Sequence, residues 1–297
     1  MLYNSIIIIF MNFITIYFFK IKSYLCKKYR YYLFAIHYSL NKMIPHYQKK
    51  ARPEKDMIFG IRAVIEAIQA GKDIDKILLR RDMSSELARE LFAILEGMNV
   101  PVQKVPLEKL NRITMKNHQG VIAFISPVTY QRIEDIIPGI YEEGRVPFIV
   151  VLDNVTDVRN FGAIARTCEC AGVDAIVVPM KGGAALNADA VKTSAGALLK
   201  IPVCREESIS NALKFLSFSG IKLVAATEKT DQNYTQVDMK DPVAIVMGSE
   251  DEGIASEHLR LCNELVSIPL AGTIESLNVS VAAGVLIYEV IRQRLIV

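Results

Sequence analysis

The sequence predicts an α/β protein organised around a mostly parallel sheet. Two observations carry this. From Phe148 onward, short continuous apolar runs ("FIVVLD", "DAIVVP", "IKLVAAT", "VAIVMG", "LVSIPL") alternate with stretches of helical period, the pattern of strands buried on both faces. The chain is also long enough for the cores this needs: 297 residues, 51% of them apolar, allow one large or two ordinary domains.

Element by element, Ile61, Val64, Ile65 and Ile68 recur at helical spacing and stop at Gly71. "KILLR" (76–80) reads as a strand. "SSELARELFAILEG" follows as a helix opened by serine and closed by Gly97. "VPVQKV" and "GVIAFI" are further strands, separated by the short helix "PLEKLNRI". These form a small unit over 57–128, preceded by a tail, 1–56. Residues 129–147 read as a polar, Pro- and Gly-punctuated linker with one helix. The large domain, 148–297, then runs strand 148–153, helix 160–172, strand 174–179, helices 187–199 and 207–219, three more strands, and a C-terminal helix from about 276.

Net charge is +3, but its distribution matters more. Met1–Pro53 holds nine basic residues and no acidic one, which leaves 26 basic against 32 acidic groups in the rest. A nucleic-acid partner therefore cannot be argued from overall charge and must rest on local basic patches. The first 19 residues carry no charge and precede Lys20, Lys22, Lys27, Lys28 and Arg30, so they fit a membrane anchor with a basic flank. The Ile-, Phe-, Tyr-, Asn- and Lys-rich composition of 1–50 equally fits translated upstream sequence, with Met43 or Met57 as the start. Five cysteines (Cys26, Cys168, Cys170, Cys204, Cys262) form no CxxC pair and meet no histidine cluster. They read as buried reduced thiols, and no metal site is expected.

Three loops that leave strands hold the candidate chemistry. In "LDNVTDVRNFGAIARTCECAG", Asn160 is expected to cap the following helix, and Gly162 to leave its first turn open to close approach. Arg166 falls near the Gly162 side. A guanidinium so early in a helix opposes the helix dipole, which points to an anionic ligand or a carboxylate neighbour; an ordinary surface arginine is the plainer alternative. "GSEDEGI" (248–254) is neither GxGxxG nor GxxxxGK[ST], and Glu250, Asp251 and Glu252 would repel a pyrophosphate. They suit a ligand that is cationic or rich in hydroxyls. In "SIPLAGTIESLNVSVAAGVLIYEV", Ser276 and Asn278 stand where a loop becomes a helix, and Ser280, Ala282, Ala283 and Gly284 permit close packing. Alone, this stretch is equally a cap and a packed helix.

Together and in this order, "DNVTDVRNFGAIART", "VMGSEDEGI" and "IPLAGTIESLNVSVAAGVLIYE" resemble the three motifs of the SpoU/TrmH group of ribose 2′-O-methyltransferases, within the knotted SPOUT class. Residues 57–128, opening "GIRAVIEAI", are similar to the small ribosomal-protein-like RNA-binding domain of family members that methylate a guanosine of large-subunit (23S) ribosomal RNA. The resemblance implies a trefoil knot, a homodimer built on the C-terminal helix, a cytoplasmic enzyme, and S-adenosylmethionine as cofactor. Gly248, Ile268 and Leu277 would contact that cofactor through backbone groups. Arg166 would bind the target phosphate and steady the developing 2′-alkoxide; a guanidinium stays protonated and is a poor base. Asn160 would orient Arg166 or the ribose, Glu250 would fix its loop or take the proton through water, and Ser276 and Asn278 would position substrate or loop. Two residues depart from the family pattern: Arg62 stands where the small domain commonly has His, and Val158 where the first motif usually has Pro. RNA contact is expected from Arg62, Arg80, Arg81, Lys104, Lys109, Arg112, Lys116 and the "KNHQG" turn, with His118 a turn residue. The alternatives are a tRNA methyltransferase, a membrane-tethered enzyme, and a non-catalytic RNA-binding assembly factor of the same fold.

Overall fold

The structure, a computed structural model, describes residues 57–295; the start-site and anchor expectations fall outside them. Among the described residues no helix is long and apolar enough to cross a membrane.

The first sheet has four strands: β1 (Met57–Phe59), β2 (Ile74–Arg80), β3 (Val102–Val105) and β4 (Val121–Ile125), in the order β1-β4-β2-β3. Only β2 and β3 are parallel. Successive residues of β4 serve opposite faces. Val121 and Ala123 pack with Val64, Ile65 and Leu91 of helices α1 (Ile61–Gln69) and α2 (Glu86–Leu95), while Ile122 and Phe124 meet Leu110 of α3 (Leu107–Asn111). α2 starts where its sequence says it should: the Ser85 hydroxyl accepts from Ala88 N at 3.2 Å.

The second sheet has seven parallel strands: β5 (Tyr130–Gln131), β6 (Phe148–Leu152), β7 (Ala175–Pro179), β8 (Val203–Glu206), β9 (Lys222–Ala226), β10 (Val243–Met247) and β11 (Glu264–Val266). Their order is β11-β9-β10-β6-β7-β8-β5. Helices α5 (Val158–Cys170) and α9 (Val279–Leu295) cover the face to which Phe148, Val150 and Leu152 point; α4 (Ile133–Glu142) and α7 (Ile209–Phe218) cover the face of Ile149 and Val151. The chain leaves central β6 toward β7 and β8, then returns to place β10 on the other side of β6. The crevice for a ligand therefore lies above the carboxyl ends of β6 and β10.

Several expectations about the elements need correction. Residues 129–147 are no mere linker: β5 extends the large sheet, and Ile133, Ile137 and Ile140 of α4 are buried at helical spacing in its core. β8 was unforeseen, because it ends in the charged pair Arg205 and Glu206, both buried. The helix expected over 187–199 stops at Thr193 (α6, Ala188–Thr193), since Ala195 and Gly196 turn left-handed, φ +52° and +86°, before a short 3-10 turn at Ala197–Leu199.

Arg205 joins the two sheets. Its Nη1 donates to the carbonyls of Ile74 and Asp75, both at 3.1 Å, its Nη2 donates to Asn99 O, and its guanidinium stacks 3.7 Å from the Tyr130 ring centroid. Tyr130 Oη in turn donates to Asp75 Oδ1 at 3.1 Å. Burial pushes the Tyr130 phenol well up, helped by Asp75, and pushes the Arg205 guanidinium down.

Gly162 has a packing role rather than a ligand-facing one. A Cβ there would lie 2.7 Å from Thr193 Cβ and 3.1 Å from Ser194 N, so α6 occupies the space beside it. Gly162→Val is expected to destabilise the protein by about 2–3 kcal/mol through overpacking, read as a lower urea midpoint with the slope kept. Burial also explains the thiols. It raises Cys168 and Cys204 far above ordinary values and pushes Cys262 up to about 12, while Cys170, contrary to expectation, is exposed. Among the described residues no His, Cys, Asp and Glu cluster could hold a metal.

Candidate active site

The first loop leaves β6 and enters α5, and its cap differs from expectation. Asp157, not Asn160, caps the helix: its Oδ1 accepts from Arg159 N at 2.8 Å and from Asn160 N at 2.9 Å. Two good capping residues stand three apart in the sequence, and the earlier one wins. Asn160 is thereby released into the site. Its Nδ2 donates to Glu250 Oε1 at 2.9 Å, and its Oδ1 accepts from Asn278 Nδ2 at 3.1 Å. Asn278 Nδ2 also donates to Glu250 Oε1, which Val279 N approaches at 3.4 Å. Asn278 Oδ1 caps α9, accepting from Ser280 N at 3.0 Å and Ser280 Oγ at 2.6 Å. One residue from each loop thus meets in a single polar cluster.

Glu250 is held by the turn that carries it. Ser249 and Gly253 exchange two backbone hydrogen bonds of 3.1 Å, and Ser249 Oγ accepts from Glu252 N. The turn closes over Gly248, where a Cβ would lie 2.1 Å from Gly253 C and 2.3 Å from Ile254 N. The base of the loop rests on two residues that sequence reasoning passed over. Asp153, buried at the end of β6, accepts from Ala255 N at 2.9 Å and from His258 Nδ1 at 2.6 Å. A carboxylate only accepts, so the donor is Nδ1 of His258, which sits on the short helix α8 (Ser256–Leu259). The signal for Asp153 was present in "FIVVLD", since a carboxylate closing a buried strand needs a partner.

Arg166 is exposed on α5 and its side chain makes no hydrogen bond to another described residue; Asn160 orients toward Glu250 and not toward it. Ser276 is exposed and is joined to none of the cluster. Ile268 is half-buried beyond the end of β11, and Leu277 is 38% exposed beside Asn278. From Ile268 to Leu277 no backbone N–H or C=O is hydrogen-bonded to another described residue. This stretch offers main-chain donors and acceptors to a ligand, and the Glu250 carboxylate lies beside its end, at Asn278.

In the small unit, His118 is buried within the 116–120 turn. Its Nδ1 accepts from Gly120 N at 3.0 Å and its Nε2 meets Asn111 Oδ1 at 2.9 Å, so it is neutral with the proton on Nε2. Burial lowers its pKa, with Arg80 adding to the effect. Arg62, Arg81, Lys104, Lys109, Arg112 and Lys116 are exposed, whereas Arg80 is half-buried and bonds to Asp82 O.

The profile of the SpoU rRNA Methylase family matches residues 147–288, and that of the RNA 2′-O ribose methyltransferase substrate-binding family matches 57–131. An uncharacterized tRNA/rRNA methyltransferase of Mycobacterium leprae is 33% identical, over 86% of this chain and 82% of its own. One from Mycobacterium marinum is 32% identical, over 81% and 78%. An AdoMet-bound rRNA methyltransferase from Sinorhizobium meliloti superposes with TM-score 0.52 and 26% identity, covering 80% of this chain and 87% of that one. The methyltransferase AviRb from Streptomyces viridochromogenes, complexed with AdoMet, gives 0.52 and 26% over 80% and 90%.

A parallel sheet with a loop-built polar cluster at its switch point, coupled to an RNA substrate-binding unit, defines an RNA methyltransferase. The chain belongs to the SpoU methyltransferase family, and its cofactor is S-adenosylmethionine. Glu250→Ala removes the acceptor shared by three donors. It is expected to lower kcat/KM for RNA about 30-fold, near 2 kcal/mol, while Glu250→Gln, which keeps an acceptor oxygen, stays within several-fold in the same methyl-transfer assay.

Proposed function

We propose that the protein methylates the ribose 2′-hydroxyl of a guanosine in 23S ribosomal RNA. The observation that carries this reading is the meeting of Asn160, Glu250 and Asn278 on the α5 side of the switch-point crevice, the same helix that presents an exposed arginine. The substrate-binding profile over 57–131 supports a ribose target, and the rRNA methyltransferase from Sinorhizobium meliloti supports ribosomal RNA.

S-adenosylmethionine supplies an electrophilic methyl group on a sulfonium cation. The residues present fit it. Ile268 and Leu277 end a run of backbone groups with no partner among the described residues, suited to adenine and ribose; Gly248 stands under the turn that carries Glu250, and the 250–252 carboxylates tolerate a positive charge. Arg166 holds the phosphate next to the target ribose and stabilises negative charge on the 2′-oxygen, an electrostatic contribution of about 3–4 kcal/mol by analogy with oxyanion donors. Glu250 and Asn278 fix the loop against Asn160, whose amide is then placed toward the sugar. Ser276, on the exposed approach, positions substrate. Holding both reactants in one orientation supplies up to about 7–11 kcal/mol more.

The reading extends to three family properties. The C-terminal segment is knotted through its neighbouring loop. A homodimer forms on α9, where Val281, Tyr288 and Leu295 are exposed beside Gly284. The enzyme works in the cytoplasm. Nucleoside mass spectrometry of 23S ribosomal and transfer RNA from a strain lacking the gene tests the substrate. Loss of one 2′-O-methylguanosine from 23S RNA is expected; loss from transfer RNA instead assigns the tRNA alternative, and unchanged methylation in both favours the non-catalytic assembly factor.

A further inference from the structure

A cavity of about 360 Å3 lies between the small sheet and the loop that follows β7, and none of its lining residues belongs to the three motifs. On one side β2 and β3 supply Lys76 and Gln103; on the other, Lys181, Gly182 and Gly183 form the wall, with Arg205 below. Its size is within the range of clefts that hold a small ligand, roughly 300–1,000 Å3. Lys181 lines it from the loop side, and Lys76 and Arg205, each with protein partners of its own, add positive charge against one carboxylate, Asp75, which accepts from Tyr130 Oη. The backbone N–H groups of Lys181, Gly182 and Gly183 take no acceptor from the described residues, so the wall presents donors as well as charge. Cations with clustered backbone donors match a phosphodiester.

The wall is also tied to the catalytic loop. Ala184 N donates to Val155 O at 2.8 Å, and a Cβ on Gly182, φ +85°, would sit 2.6 Å from Asn154 Oδ1. Asn154 itself is left-handed, φ +58°, one residue after Asp153, which anchors the glycine turn. Whatever seats against Gly182 therefore presses on the loop that leads to Asn160 and Arg166. The Arg205–Tyr130–Asp75 clamp fixes the opposite wall.

We infer that this cavity binds one nucleotide of the substrate RNA strand outside the modified residue, its phosphate against Lys181 and the Gly182–Gly183 backbone and its base toward Gln103. The inference rests on the RNA-methylating reading above. A nucleotide held there would set the path of a strand running from 57–131 to the catalytic crevice.

The test uses purified full-length protein and total RNA from a strain lacking the gene. Lys181→Glu is expected to raise KM for RNA at least tenfold with unchanged affinity for S-adenosylmethionine. Lys181→Ala should lower the slope of log affinity against log salt by about 1, the signature of one lost phosphate contact. Lys181 is exposed, so neither change threatens folding. As a second probe, a 12-mer oligouridylate containing 4-thiouridine should crosslink to the peptide carrying 180–186. Wild-type KM and salt slope in both Lys181→Glu and Gln103→Glu, or crosslinks confined to other peptides, overturn the site while leaving the methyltransferase reading intact. Failure of the wild-type protein to methylate any RNA overturns both.

Discussion

Arg166→Ala is expected to leave S-adenosylmethionine affinity within about twofold and to lower methyl transfer at saturating RNA by roughly 10²- to 10³-fold, the range set by loss of an oxyanion-type donor. The structure makes this a clean experiment. The Arg166 side chain is exposed and bonds to no described residue, so its removal strands no buried partner and opens no cavity. Its neighbours Ala165 and Ile164, not Arg166, hold α5 against the sheet. Arg166→Lys keeps the charge but loses the planar fork that grips a phosphate in two places, and should recover only part of the rate. Because the guanidinium is a poor proton acceptor, the loss should be similar across the pH range, unlike that from removing a titrating base. Tritium transfer to RNA measures the rate and calorimetry the cofactor affinity. Near-normal turnover in Arg166→Ala would refute the role.

Much of this architecture was legible, for reasons that can be localised. Strands such as Phe148–Leu152 and Val243–Met247 are wholly buried, so hydropathy alone marks them. The helices at Ile61–Gln69 and Glu86–Leu95 show apolar residues at regular spacing and run out toward Gly71 and Gly97, the second also opening on a capping serine. What failed to show had a tertiary cause. β8 ends in charges that are buried only because partners distant in sequence satisfy them: Arg205 by Ile74, Asp75 and Asn99, Glu206 by Ile133 N at 3.0 Å. No local pattern reports such partners. The Asp157–Asn160 ambiguity is likewise undecidable locally, because both residues cap well, and it is Glu250, ninety residues away, that claims Asn160. The loops after the strands drew attention to Asn160, Arg166, Glu250, Ser276 and Asn278, while their roles and the cofactor contacts Gly248, Ile268 and Leu277 came through resemblance. Spacing along the chain holds no hint that positions 160, 250 and 278 converge.

Gly248→Ala is the second large effect, and its cause is steric rather than chemical. Gly248 does not adopt a left-handed backbone; the reason for glycine is the returning chain. An added Cβ would stand 2.1, 2.3 and 2.4 Å from Gly253 C, Ile254 N and Gly253 O, all backbone atoms that cannot rotate away. Relief requires the turn to open, which breaks the paired Ser249–Gly253 hydrogen bonds and draws Glu250 off Asn160 and Asn278. Overpacking of this kind costs about 2 kcal/mol, so Tm should fall by roughly 4–8 °C. Cofactor affinity should fall more than tenfold, since the turn beside the proposed cofactor residues is the part displaced. Gly253→Ala separates this from mere strain. Gly253 has φ +71°, but nothing lies within 4 Å of its Cβ position, so that variant bears only the left-handed penalty of about 1 kcal/mol. If calorimetry finds both variants equally weakened toward S-adenosylmethionine, the close approach at Gly248 is not what shapes the cofactor site. If Gly248→Ala alone loses affinity while both unfold cooperatively, the closed turn is the element that the cofactor requires.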